Sequence, residues 1–186
     1  KSLLSNGFES RSNKIRIFNI RWNLNREFLL SWNYENGEKI NTSEFFSTRD
    51  FHIFSNATEP KLSYQPGNSF RVSASYRYSD KKNTIGNEME KAFLNKLNLE
   101  SKVTSVNSGT ITAKVSYVKV KFNAPQSSFL AYEMLEGFKP GENFIWNISV
   151  QRNLSSYMQL SLNYEGRKLQ DSPVVHTGGV EFRAFF

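Results

Sequence analysis

Few residues of this 186-residue chain are suited to chemistry, and their spacing argues against most of it. The histidines are His52 and His176, far apart in sequence and outside any metal-ligand pattern. There is no cysteine, which excludes disulfides, thiolate metal sites and cysteine nucleophiles. No G-x-S-x-G elbow, phosphate-cradling glycine loop or H-E-x-x-H helix occurs. The sequence therefore assigns no catalytic residue, no metal ligand and no cofactor, and the chain reads as a non-enzyme. Asn41, Asn56, Asn147 and Asn153 open glycosylation-type triplets, which an Asn- and Ser-rich chain produces by coincidence.

Charge is the remaining chemistry. The net charge is +7, with no compact Lys/Arg tract and no glycine-rich nucleic-acid signature, so nucleic acid is not expected as a partner. Arg16, Arg21, Arg71, Arg77, Lys114 and Arg183 fall on polar faces of predicted strands. They either give an enclosed lumen a basic, anion-attracting lining or pair with Glu100, Glu165 and Glu181 and hold a shape.

The elements that must position these groups are strands. Phe144, Trp146, Ile148 and Val150 alternate with Asn143, Asn147, Ser149 and Gln151, broken only at Ile145. Met158, Leu160, Leu162 and Tyr164 alternate with Gln159, Ser161, Asn163 and Glu165. The same period marks Phe18–Leu24, Leu30–Glu35 and Phe70–Ser79, and no apolar face among them carries a charge. In 109–122 the apolar set changes phase, from Ile111, Ala113, Val115 and Tyr117 to Val118, Val120 and Phe122. A bulge near Tyr117, or a strand continuing out of a membrane, accounts for the change. Strands are also expected over 92–106, 128–135 and within 45–64; the helix-like 86–96 is read as a loop.

Turn formers punctuate the pattern at 25–27, 66–68, 107–109 and 152–156, with longer polar connections at about 36–46, 80–91 and 167–177. That makes about ten antiparallel strands in consecutive hairpins and one domain, 1–186, with no internal linker. On this count the turn at 107–109 falls among the long connections, so a strict alternation of short turns and long loops is not expected.

Alternation suits a soluble β-sandwich as well as a transmembrane barrel. Aromatics make up 15% of the chain, and Trp22, Trp32, Tyr34, Tyr76, Tyr78, Trp146 and Tyr164 lie on apolar faces, several near strand ends, as rings do at a lipid–water boundary. The polar faces are mostly Asn, Ser, Thr and Gln, with fewer charges than exposed soluble strands carry. At the C-terminus, Val180, Phe182, Ala184 and Phe186 alternate with Glu181, Arg183 and Phe185.

The run Val180-Glu181-Phe182-Arg183-Ala184-Phe185-Phe186 resembles the closing strand of Gram-negative outer-membrane barrels. There, a terminal aromatic and alternating hydrophobics serve as an assembly signal. The stretch from Tyr132-Glu133-Met134-Leu135-Glu136-Gly137 through Asn163-Tyr164-Glu165-Gly166-Arg167-Lys168 to the end is similar to the C-terminal part of large Bacteroidota outer-membrane proteins. The resemblance implies an antiparallel up-and-down transmembrane β-barrel in a bacterial outer membrane, complete in about ten strands or the C-terminal section of a larger ring. The implied partners are outer-membrane lipid, the barrel-assembly machinery and other envelope proteins. The implied role is a transport- or secretion-related passage, or a scaffold in an envelope complex. The alternative expectation is a soluble sandwich that binds glycan or protein.

Overall fold

A computed structural model describes residues 2–4, 7–85, 89–105, 109–125 and 128–185. Ten strands follow one another as β1 (Ser2–Leu4), β2 (Gly7–Asn23), β3 (Phe28–Ser43), β4 (Phe51–Tyr64), β5 (Phe70–Asn83), β6 (Lys91–Ser105), β7 (Gly109–Phe122), β8 (Gly141–Ser155), β9 (Met158–Lys168) and β10 (Val175–Ala184). They form a single antiparallel sheet in sequence order. Among the described residues β1 pairs only with β2 and β10 only with β9, so the sheet is open. Among the described residues all the strands lie in one sheet, with no second sheet packed on it as in a sandwich.

The loop lengths correct the expected irregularity. One end of the sheet carries the connections 24–27, 65–69 and 156–157, and the Ser105–Gly109 pair places the 106–108 connection there too. The other end carries 44–50, 84–90, 123–140 and 169–174. From β2 onward short and long connections therefore alternate; β1 and β2, paired at Leu4–Gly7, are separated by two residues at the long-loop end. The expected placing of the 107–109 turn failed because 128–135 is not a strand. It holds a helix, α1 (Phe129–Met134), whose cap Ser128 accepts a hydrogen bond from the Ala131 N–H. Removing one strand from the count moves the 107–109 turn to the short end. The polar stretch 36–46, expected as a connection, is instead largely strand, since β3 runs on to Ser43, and the connection expected over 80–91 begins only after β5 ends at Asn83.

The phase change in 109–122 is not a bulge. The β6–β7 ladder is continuous from Ser105–Gly109 to Ala92–Phe122, and β7–β8 from Thr110–Gln151 to Val120–Gly141. Val118 and Val120 stay on the face set by Ser116 and are buried there because α1 covers them. The core lies at this long-loop end: Phe51, Ile53, Ala92, Leu94, Val118 and Val120 of the sheet pack against Ala131, Met134 and Leu135. Pro60, which donates no N–H, sits where the β4–β5 ladder skips from Thr58–Tyr78 to Lys61–Ser75.

Candidate functional site

The sheet has an inner face, which carries α1, and an outer face. Over the short-loop two thirds of the strands the inner face is polar. A hydrogen-bonded chain crosses it: the Arg77 guanidinium donates to Glu35 at 3.0 Å and lies 3.6 Å from Glu59. The Ser75 hydroxyl donates to Glu59, Asn98 donates to Ser75, and Ser116 donates to Asn98. Such a network satisfies groups whose isolated burial would be costly.

The basic residues expected on this face divide. Arg71 reaches Glu100 at 3.4 Å and Arg183 reaches Glu181 at 2.7 Å, as the shape-holding reading expects. Arg77 is also neutralised, but by Glu35 and Glu59 rather than by any expected partner. Arg21 and Lys114 are inward, exposed, and without an ion pair among the described residues. Arg16 is a correction. Its ladder partner is Asn36, and its even position puts it on the outer face with Phe18 and Ile20, beyond their apolar stretch. Among the described residues, Glu165 makes no salt bridge.

Above this network, α1 and its flanks bound a cavity of about 630 Å³ against β2–β5, lined by Arg11, Glu35, Lys39, Arg77, Lys81 and Glu133 among others. Glu133 of α1 is buried and faces Arg11 of β2 and, at 3.5 Å, Lys39 of β3. From β5, Lys81 donates to the Met134 carbonyl at 3.0 Å and to Glu136 at 2.7 Å. Burial works against ionisation of Glu136, but Lys81, Arg77 and Lys96 outweigh it and hold the carboxyl below its ordinary range. Glu136 and Gly137 both have positive φ, 55° and 81°, so the chain turns sharply straight after the helix. The motif Tyr132–Gly137 marked the segment in the sequence. The signal it carried was helical: Leu130, Ala131, Met134, Leu135 and Phe138 recur at helical spacing.

The outer face reverses the pattern. Register pairs join Trp22, Leu30, Leu62, Ala74, Leu99, Val115 and Trp146 across β2–β8, and Phe70, Val103, Ile111, Val150, Leu162 and Val180 across β5–β10. Most of these side chains stand open: Trp22 is 64% exposed, Leu99 51% and Val180 74%. All seven expected boundary aromatics lie on this face. Four of them carry polar tips aimed one register row toward the long-loop end. The Trp32 indole donates to Thr58 at 2.6 Å, the Tyr34 hydroxyl to Asn56 at 3.3 Å and the Tyr76 hydroxyl to Asn95 at 2.5 Å, while Tyr164 meets His176 at 2.9 Å. Tyr78 lies in the row of Thr58 and Asn95. Trp22 sits at the short-loop end. Trp146 lies across Gly166, where any Cβ would strike its indole, and its edge approaches His176.

Of the expected terminal-strand residues, Val180, Phe182 and Ala184 of β10 project outward, and Phe186 lies outside the described residues. His52 contacts Glu38 at 2.9 Å and His176 stacks on Tyr164. No group of His, Asp or Glu among the described residues is placed to hold a metal. No protein-family model, curated protein or solved structure matches this chain.

Proposed function

We propose that this chain is the membrane-embedded sheet of a bacterial outer-membrane β-barrel. In this reading it serves as a plugged scaffold in the cell envelope rather than an open passage. The observation that carries the reading is the bare apolar outer face and the way it crosses the ladder. Trp22 and Ala184 are the last outward apolar strand residues at the short-loop ends of β2 and β10. The register row of Trp22 nevertheless meets β10 at His176. For the band to lie level, the strands must slip by about one residue each. At about 3.4 Å per residue and about 4.8 Å between strands, that slip is a tilt of about 35°, as transmembrane barrels have. On β5 the band runs from Phe70 to Tyr78, close to the roughly 9–11 residues that a tilted membrane strand needs.

Loop alternation supports the same reading, with β10 descending to the short-turn end. That end is periplasmic in such barrels. In lipid the open edges of β2 and β10 require strand partners, so the reading demands pairing beyond the open sheet. The pairing of Arg71 and Arg77 with carboxylates and the anchored α1 favour a scaffold over a conducting lumen. Lipid, the assembly machinery that reads β10 and neighbouring envelope proteins are its partners.

Fractionation of expressing cells tests the proposal. Release of the protein from the membrane pellet by detergent and not by salt is the expected result; release by salt sinks it. Planar-bilayer recording separates scaffold from passage, since steady open conductance contradicts the plug.

A further inference from the structure

Outside the apolar band, the outer face is basic at one end only. On β7, Lys119 and Lys121 continue the outward positions past Tyr117; on β5 and β6, Lys82 and Lys91 are direct register partners. Asn95 pairs with Lys119 and Phe93 with Lys121, so these lysines occupy consecutive rows of three adjacent strands. Like charges directly opposite on one face repel. Glu142 reaches Lys119 at 3.5 Å, but among the described residues no carboxylate lies within ion-pair distance of Lys82, Lys91 or Lys121. At the short-loop end, Arg152 is the outward strand cation among the described residues.

On the inner face Arg77 and Lys81 are held by carboxylates, whereas Lys82, Lys91 and Lys121 cluster on the outer face around the single carboxylate of Asp80, which shares the row of Lys121 without ion-pairing to it among the described residues. The patch also begins at the edge of the band, with Lys119 in the row of Tyr78 and one row beyond Tyr117. A flexible ammonium on a long stem at that height suits a phosphate group held at the membrane surface. We infer that Lys82, Lys91, Lys119 and Lys121 bind the phosphorylated head groups of lipid in the leaflet on the long-loop side. This rests on the barrel reading above and adds the lipid class and the leaflet.

The full chain lacks cysteine, so Asn95→Cys introduces a unique label site beside the patch. Energy transfer is then measured from that label to head-group-labelled phosphatidic acid, or to labelled phosphatidylcholine, in phosphatidylcholine vesicles. Enrichment of phosphatidic acid by at least about threefold is expected, falling with salt and lost in the K82Q/K91Q/K121Q variant. Equal transfer from both lipids, or enrichment surviving the triple substitution, overturns the inference. So does displacement by low-millimolar inorganic phosphate, which would assign the patch to a free anion. Salt and detergent extraction of the same vesicles keeps the two proposals apart. A protein that inserts without enrichment refutes the patch alone; one that salt removes refutes both.

Discussion

Along β7 the outward residues read Ile111, Ala113, Val115, Tyr117 and then Lys119, Lys121. The inward ones read Thr110, Thr112, Lys114, Ser116 and then Val118, Val120. The strand does not change conformation between these regions; the surroundings change. Near the short loops the inner face meets its own polar network and the outer face is bare. Near the long loops α1 covers the inner face, and the outer face is polar. Which side of a strand is apolar is thus set by what covers it, and the period of two only guarantees that the sides differ.

The largest effect should come from removing the cover. Met134 is fully buried beneath the long-loop end, and Met134→Ala should destabilise the α1 docking by about 2–5 kcal/mol, through lost contacts and a residual cavity. Limited proteolysis within 123–140 is the readout: cleavage should rise sharply while the β5–β8 ladder keeps its hydrogen-exchange protection. Loss of the whole sheet would mean that the two regions fold as one unit and that the comparison is false. The opposite region is probed by Leu99→Arg, an outward residue of the band. That change should cost about 2–4 kcal/mol in a bilayer, whereas Asn95→Arg, outward but beyond the band, should cost clearly less, its main penalty being repulsion by its register partner Lys119. Equal tolerance of the two, measured by urea unfolding in lipid vesicles, would remove the band from lipid.

The strands were legible in sequence because alternation over 142–152 and 157–165 survives any surroundings. The sense of the alternation near the long loops was not. Val118 and Val120 looked like a phase error because the helix that covers them is contributed by a segment read as strand. Helical spacing at Leu130, Ala131, Met134 and Leu135 was present, but a run this short resembles an apolar strand until Ser128 is seen capping it. Arg77 illustrates the limit for the inner face: its inward side followed from alternation. Its partners Glu35 and Glu59 come from β3 and β4, and long-range pairing leaves no local signature.

Two smaller tests separate the ionic ties of α1 from its apolar ones. Glu133→Gln keeps the shape and removes the charge facing Arg11 and Lys39; the expected loss is about 1–3 kcal/mol, read as a modest rise in cleavage at 123–140. Methionine at position 134 should remain protected in that variant, because its packing does not use the carboxylate.

The smallest expected effect is the pH dependence of Glu136. Its folded carboxyl titrates below the ordinary range, so the unfolded or undocked segment binds protons more readily than the docked one. The stabilisation is therefore complete above about pH 4.3, the usual glutamate value, and is lost as pH falls through the lower docked value. The carboxyl is partly exposed, so the loss should not exceed about 1 kcal/mol after screening by water. Docking of α1, followed by an environment-sensitive label at Tyr132→Cys, should weaken slightly on acidification. Lys81→Met, which removes the principal stabilising charge, should flatten that part of the response. An unchanged acid response in Lys81→Met would place the proton on another group. The apolar contacts of Met134 should still hold the helix to the sheet at low pH, because their strength does not depend on any titrating group.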